Sequence, residues 1–142
     1  MSRKMRISLT ISIFFAIVLI GCMKTTPTEF HLNQLTRVDV EVVKDEAYEE
    51  VVMITDEETI ERLRNIFTQI EWEPNAEAKM ASMEDVKATL FFRYDKNMPE
   101  RLFEYEIWFN QSNDTATIIS NNEKEGLGTL ENAQTLEKIL IK

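Results

Sequence analysis

Residues 86–94 (VKATLFFRY) and 101–110 (RLFEYEIWFN) are the stretch that decides the fold. Apolar and polar residues alternate in both segments, which indicates two β-strands that each bury one face. Pairing Phe92 with Phe103 in an antiparallel hairpin brings the apolar face of one strand against that of the other. Residues 95–100, which contain Pro99, form the connecting loop. The sequence therefore predicts a β-hairpin with one face in the core.

The opposite face of this hairpin is mostly polar but carries two aromatic residues. The same register predicts these outer pairs: Lys87 with Trp108, Thr89 with Glu106, and Phe91 with Glu104. Either residues 75–85 or a stacked Lys87 cover Trp108, or Trp108 belongs to an exposed aromatic patch. Such patches bind partners. Trp108, Phe91, Glu106 and Thr89 are therefore the candidate residues for binding a partner protein or a cell-wall glycan.

Further strands are predicted on both sides of the hairpin. In residues 37–44, valines 38, 40 and 42 alternate with charged residues, which is typical of a half-buried strand. A second strand at residues 48–55 makes a hairpin with the first. Residues 115–120 follow a cluster of turn residues and form another strand, and residues 127–130 form a short last one.

Two helices complete the predicted domain. Thr55 and Glu58 fit a capping box at the start of the first helix, and Pro74 ends the segment. One apolar stripe faces the sheet and consists of Ile60, Leu63, Phe67 and Ile70. Residues 131–141 form a terminal amphipathic helix. The predicted fold is α+β, with a mainly antiparallel sheet, two helices on one face, and the order β-β-α-β-β-β-(β)-α.

The N-terminal residues have the pattern of a secretory signal. Three basic residues precede 14 uncharged residues at 7–20, and the small Gly21 precedes Cys22, the single cysteine of the chain. The apolar run is shorter than the roughly 20 residues that a membrane-spanning helix needs. An ordinary signal, or a membrane anchor with a chance cysteine, is the alternative interpretation.

Residues 19–22, Leu-Ile-Gly-Cys, resemble the lipobox of bacterial lipoproteins. The resemblance implies cleavage before Cys22 and a diacylglyceryl group on its thiol. We therefore expect a lipoprotein signal peptide at 1–21, a lipidated cysteine and tether at 22–34, and a single α+β domain at 35–142. The expected location is the extracytoplasmic face of the cell membrane, with the membrane contacted through the lipid on Cys22.

The charge of the chain excludes one class of partner. Residues 22–142 carry all 25 acidic residues and 13 of the 16 basic ones, which gives this part a formal net charge of −12. Phosphate backbones repel so acidic a protein, so we expect no nucleic-acid partner.

Candidate catalytic and metal-binding residues are few. The expected lipid modification occupies the thiol of the one cysteine. The one histidine, His31, lies beside the tether, and no recognisable serine motif accompanies it in the sequence. These counts disfavour a metal site built on His and Cys, and Lys124 interrupts a calcium-like pattern at 121–126. Neighbouring glutamates such as Glu104 and Glu106 are interpreted as solvated surface. We expect no cofactor, no metal and no enzyme activity.

Four features together resemble a known group. They are the lipobox, the hairpin that leads into residues 54–58 (Ile-Thr-Asp-Glu-Glu), the Glu-Trp-Glu-Pro segment at 71–74, and the Glu-Tyr-Glu-Ile-Trp-Phe strand at 104–109. They resemble the YhfM-like group of small lipoproteins from Bacillus-type Firmicutes. This resemblance implies the fold and the location but no catalytic residue or ligand. The functional hypothesis is a lipid-anchored extracytoplasmic binding or interaction module, and the alternative is an accessory or inhibitory subunit of a cell-envelope assembly.

Overall fold

The computed structural model describes residues 32–142. The predicted signal peptide, Cys22, His31 and most of the tether lie outside the described residues. The strands are β1 Leu35–Lys44, β2 Ala47–Tyr48, β3 Val52–Ile54, β4 Glu71–Glu73, β5 Val86–Phe92, β6 Arg101–Asn110, β7 Thr115–Ser120 and β8 Leu127–Glu131. The helices are α1 Glu57–Phe67, between β3 and β4, and α2 Gln134–Leu140 at the end.

All eight strands belong to one antiparallel sheet. Its order is β2-β1-β5-β6-β7-β8-β4, and β3 pairs with β1 beside β2. The consecutive strands β5 to β8 form a meander, the arrangement that short hairpin connections favour. The α+β class and the antiparallel sheet are thus confirmed, whereas the predicted order lacked two strands.

The register of the β5–β6 hairpin differs from the predicted one by two residues. Phe103 lies opposite Leu90, and Phe92 lies opposite Arg101. On the outer face, the observed pairs are Lys87 with Glu106, Thr89 with Glu104 and Phe91 with Leu102. A shift of two residues leaves each side chain on its predicted face, because side chains alternate with period two. Alternation alone therefore could not select between the two registers.

The predicted strand at 48–55 is two short strands, β2 and β3, that both pair with β1. Lys44 lies opposite Ala47, so Asp45 and Glu46 form a two-residue turn, and their φ angles are 52° and 61°. Positive φ at both positions is the geometry of a type I′ turn, which matches the twist of a hairpin.

The fourth strand, β4, is absent from the predicted order and forms the edge of the sheet next to β8. Trp72 lies opposite Gly128 of β8. A Cβ atom at Gly128 would lie 2.6 Å from Cζ3 of Trp72 and 2.6 Å from Cγ2 of Ile70. Only glycine allows this close packing, so Gly128 lets the indole ring of Trp72 lie flat over β8.

Helix α1 begins one residue later than the capping box predicts. The carboxylate of Asp56 accepts a hydrogen bond of 3.0 Å from the N–H of Thr59, so Asp56 is the N-cap in place of Thr55. The predicted apolar stripe is buried, with Ile60, Leu63 and Phe67 at 2% exposure or less.

Both helices contribute to the same core as the inward face of the sheet. Helix α1 packs on β1 and also contacts α2. The inward residues of the central strands are fully or almost fully buried: Val38, Val40, Val86, Ala88, Leu90, Tyr105, Ile107, Ala116 and Ile118. The placement of both helices on one face, as predicted, leaves the opposite face of the sheet to the loops and to solvent.

Candidate active site

A cluster of three polar side chains lies at the end of the sheet where β7 leads into β8. Tyr105 of β6 and Ser120 of β7 are register partners, so both point toward the face that carries the helices. Glu125 comes from the turn between β7 and β8. All three residues are buried, with exposures of 2% for Tyr105, 8% for Ser120 and 9% for Glu125.

The carboxylate of Glu125 joins the cluster. Its Oε2 accepts a hydrogen bond of 2.7 Å from the Tyr105 hydroxyl, and its Oε1 accepts one of 3.1 Å from Oγ of Ser120. The backbone N–H of Asn122 donates to the same Oγ at 3.1 Å. The Ser120 hydroxyl therefore lies between the backbone N–H of Asn122 and the carboxylate of Glu125. This arrangement activates a nucleophile or orients a base.

Tyr105 acts as a fixed donor in this cluster. Burial, together with the nearby Glu125 carboxylate, raises the pKa of the Tyr105 hydroxyl well above its ordinary value. Its ring is fixed by Phe67 and Trp72, whose ring centroids each lie 5.4 Å from that of Tyr105. The hydroxyl stays protonated across the physiological range and keeps the carboxylate in one orientation.

The backbone of the turn brings Glu125 back toward the sheet. The N–H groups of Glu125 and Gly126 donate to the carbonyl of Asn122 at 3.0 and 3.1 Å, and the N–H of Ser120 donates to the carbonyl of Gly126 at 2.9 Å. Gly126 has a φ of 71°, and a Cβ there would lie 2.8 Å from the carbonyl oxygen of Glu73. Glycine is thus required both by the turn and by the neighbouring β4 strand.

A cavity of about 310 Å³ lies beside the cluster. Ser120 belongs to both the cluster and the cavity wall, and Lys79 supplies a cationic group to that wall. The other lining residues are Ala76, Glu77, Ala78, Ile119, Gly126 and Leu127. A small substrate in this cavity would lie against the residue whose hydroxyl contacts Glu125.

Among residues 32–142, no group of three or more His, Cys, Asp or Glu residues could hold a metal ion. A carboxylate that accepts a proton from a hydroxyl suits acyl transfer, in which the hydroxyl oxygen attacks a carbonyl carbon.

The predicted partner-binding residues lie on the outer face of the sheet, apart from this cluster. The indole N–H of Trp108 donates to the carbonyl oxygen of Ser82 at 3.0 Å, so the loop at 75–85 partly covers the ring. The Arg37 guanidinium carbon lies 4.3 Å from the ring centroid of Phe91. Phe91 lies opposite Leu102, six residues from Trp108 along β6, which corresponds to roughly 20 Å. The two aromatic residues do not form one patch.

Thr89 and Glu106 lie between these aromatic residues, opposite Glu104 and Lys87. Burial, followed by the neighbouring carboxylates of Glu84 and Glu104, raises the pKa of Glu106. Glu84 itself is buried and accepts a hydrogen bond from the Tyr48 hydroxyl. The roles of Trp108, Phe91, Glu106 and Thr89 in binding a protein or a glycan stay predictions.

Comparison with known proteins gives one informative match. No family model and no curated protein matches the sequence. A solved structure described as a thioesterase-like protein from Clostridium sporogenes ATCC 15579 superposes with a TM-score of 0.52 over 79% of this chain and 98% of that one. The domain has a thioesterase-like fold. The sequence identity is 18%, so this likeness shows the fold alone.

The thioesterase-like fold contradicts two predictions made from the sequence. The lipid-anchored binding module, with an accessory or inhibitory subunit as its alternative, is one of them, and the absence of enzyme activity is the other. The expectation of no enzyme activity relied on the single cysteine, on the single histidine without a serine motif, and on glutamates interpreted as solvated surface. A cluster assembled from β6, β7 and a turn has no linear motif, so the sequence could not reveal it.

No helix within residues 32–142 has the length and apolar character needed to cross a membrane.

The sequence signal that was available for the cluster is weak: a serine at the end of a strand, followed five residues later by a glutamate in a polar turn. The missing information was the burial of Glu125, which depends on Tyr105, 20 residues away in the sequence.

Proposed function

We propose that the protein hydrolyses carboxylic ester bonds, either thioesters or oxygen esters. The single observation that carries this proposal is the buried Glu125 carboxylate, which accepts hydrogen bonds from Ser120 and Tyr105 beside a cavity that Ser120 lines. The structural neighbour is described as a thioesterase-like protein, which supports the same reaction class. Because one fold can host unrelated functions, the cluster supports the proposal more strongly than the fold does.

In the proposed reaction, Oγ of Ser120 attacks the carbonyl carbon of the substrate while its proton passes to Glu125. The bond from the carbonyl carbon to the leaving sulfur or oxygen then breaks, and the proton on Glu125 passes to the leaving group. Water next attacks the acyl group on Ser120, with Glu125 again accepting a proton. The bond from the acyl carbon to Oγ then breaks, the proton on Glu125 returns to Oγ, and the free acid leaves. Tyr105 is a positioning residue that keeps the carboxylate turned toward Ser120.

The proposed reaction is tested with purified full-length protein and two substrate series, acyl-coenzyme A thioesters and p-nitrophenyl esters of short to medium chain length. Ser120→Ala and Glu125→Gln should each lower kcat/KM at least about 100-fold, since a general base commonly contributes that much. Ser112→Ala, in the exposed turn between β6 and β7, is the matched control and should keep full activity. Melting temperatures show whether each variant is folded.

Two outcomes would count against the proposal. One is a wild-type protein that hydrolyses neither series above the uncatalysed rate. The other is a folded Ser120→Ala variant with wild-type kcat/KM. If Ser120→Ala is active and Glu125→Gln is not, water attacks directly with Glu125 as its base, and the nucleophilic role of Ser120 is wrong.

For location, we propose a lipid anchor on Cys22 at the extracytoplasmic face of the cell membrane. The support is the signal-like order of residues 1–22 and the resemblance of residues 19–22 to a lipobox. Two acyl chains hold a protein stably at a bilayer, whereas one holds it only marginally. Membership of the YhfM-like group of lipoproteins is proposed on the lipobox together with residues 54–58, 71–74 and 104–109.

A further inference from the structure

The loop that joins β5 to β6 differs in character from the rest of this acidic chain. We call residues 93–102 the hairpin tip. The tip contains three basic residues (Arg93, Lys96, Arg101) and two acidic ones, while the whole chain has a formal net charge of −9. Met98 and Leu102 are 60% and 53% exposed there. Exposed apolar side chains among basic residues are typical of a surface that meets a lipid interface.

The hairpin tip lies at the end of the sheet where the N-terminal segment enters the domain. The N–H of Arg93 donates to the carbonyl of Gln34 at 3.0 Å, and Leu35 lies opposite Phe92. Leu32 is ten positions after Cys22, and a fully extended chain of ten residues reaches at most about 35 Å. Whatever holds the N-terminal segment at a membrane therefore also keeps this end of the sheet near it.

Two of the three basic groups of the tip have an intramolecular contact. Arg93 forms an ion pair of 3.3 Å with Glu100, and the Arg101 guanidinium lies 5.4 Å from the ring centroid of Tyr94. Nearby, Asp39 pairs with Arg37 at 2.6 Å. Glu100 and Asp39 are thus paired with arginines, and the tip, with three basic and two acidic residues, has a formal net charge of +1. An anionic surface therefore meets less repulsion at the tip than over the rest of this acidic chain.

We propose that the hairpin tip is a lipid-contact surface, with Met98 and Leu102 entering the headgroup region of an anionic bilayer. An anionic lipid surface fits both the position of the N-terminal segment and the charge of the tip. The turn between β6 and β7, residues 111–114, lies at the other end of the sheet. It has one acidic residue, no basic residue and no apolar residue.

One consequence concerns the substrate and rests on the proposed function, whereas the lipid contact itself does not. The turn that carries Glu125 lies at the same end of the sheet as the tip, since the N–H of Glu104 donates to the side chain of Asn121 at 2.8 Å. A tip seated on lipid would therefore hold the Ser120–Glu125 pair close to acyl esters of the membrane surface.

The test uses the full-length chain with Cys22→Ser, so that a single introduced cysteine carries an environment-sensitive NBD dye. The dye is placed at Met98→Cys, or at Ser112→Cys as the matched control in the opposite turn. Both proteins are added to vesicles of phosphatidylcholine and phosphatidylglycerol, with nitroxide-labelled lipid as a quencher. We expect a blue shift and quenching for the dye at position 98 and an unchanged spectrum at position 112.

A second variant separates lipid contact from a general effect of vesicles. Leu102→Asp in the Met98→Cys protein should abolish the blue shift and leave the melting temperature unchanged, because Leu102 is exposed. Equal spectra at positions 98 and 112 in sedimented vesicles would overturn the proposal and favour a protein partner for the tip. A chain that stays in the supernatant would overturn it too. Neither readout involves ester hydrolysis, so the two proposals fail independently.

Discussion

The guanidinium group of Arg64 in α1 donates two hydrogen bonds, of 2.7 and 3.2 Å, to the carbonyl oxygen of Leu35 in β1. The strand register shifts between Leu35 and Arg37, where the regular ladder with β5 is interrupted. Arg64 also pairs with Glu57 and Glu61 at 2.8 Å each. One side chain therefore links the helix to the irregular start of the sheet.

We expect Arg64→Met to lower the free energy of unfolding by about 1–3 kcal/mol, because a charged donor is removed from a partly buried carbonyl. Methionine keeps most of the apolar volume of the arginine stem. Urea unfolding at pH 7 gives the value. Arg62→Met, at an exposed position of the same helix, is the control and should change stability by less than about 0.5 kcal/mol. Equal losses at both positions would show that the Leu35 contact contributes nothing.

Tyr105→Phe should change the pH dependence of ester hydrolysis as well as its rate. The phenol hydroxyl donates a hydrogen bond to Glu125, and a hydrogen bond to a carboxylate favours its charged form, so removal of the hydroxyl should disfavour the carboxylate that acts as the base. The acidic limb of the plot of kcat/KM against pH should therefore move to higher pH. Tyr48→Phe, whose hydroxyl contacts Glu84, serves as the control. An unmoved limb with a lower rate would mean that Tyr105 only supports packing.

Glu106→Gln should stabilise the protein at pH 7 by about 0.2–1 kcal/mol, because burial and the nearby carboxylates of Glu84 and Glu104 disfavour the charged form of Glu106. The folded pKa of Glu106 is raised above the ordinary value of 4.5, so its protonation favours the folded state. This contribution is fully present below about pH 4.5 and is lost as pH rises through the folded pKa. Glutamine removes the like-charge repulsion at neutral pH.

The measurement is a pair of urea unfolding series at pH 7 and pH 4. The difference between Glu106→Gln and the wild type should shrink at the lower pH. Glu123→Gln, in the exposed turn before Glu125, should show no such dependence. A variant that is less stable than the wild type at pH 7 would indicate that the attraction between Glu106 and Lys87 outweighs the repulsion.

Cys22→Ser should abolish fatty-acid incorporation and leave the fold of the domain unchanged. The thiol is the group that the lipobox resemblance marks for modification, and serine cannot replace it. Metabolic labelling with a fatty-acid probe, followed by membrane fractionation, provides the measurement. Label that persists on the serine variant, or wild-type protein that carries none, would refute the proposed anchor.

Local patterns in the sequence determined the elements and their faces. Strand β7 has the predicted bounds, Thr115–Ser120, because a cluster of turn residues followed by β-forming residues is a local signal. The same holds for the stripe of α1, where Ile60, Leu63 and Phe67 are buried as predicted. The N-terminal pattern at 1–22 is also a property of the sequence, and its interpretation stays a prediction.

Only the tertiary structure decided the register, the sheet edge and the polar cluster. A shift of two residues keeps each face intact, so it was the pairing of Leu90 with Phe103 that fixed the hairpin. In the sequence, Glu125 is one of 25 acidic residues and lies in a polar segment. Its burial against Tyr105 and Ser120 depends on contacts between residues distant in sequence, and burial is what turns a common acidic residue into a candidate base.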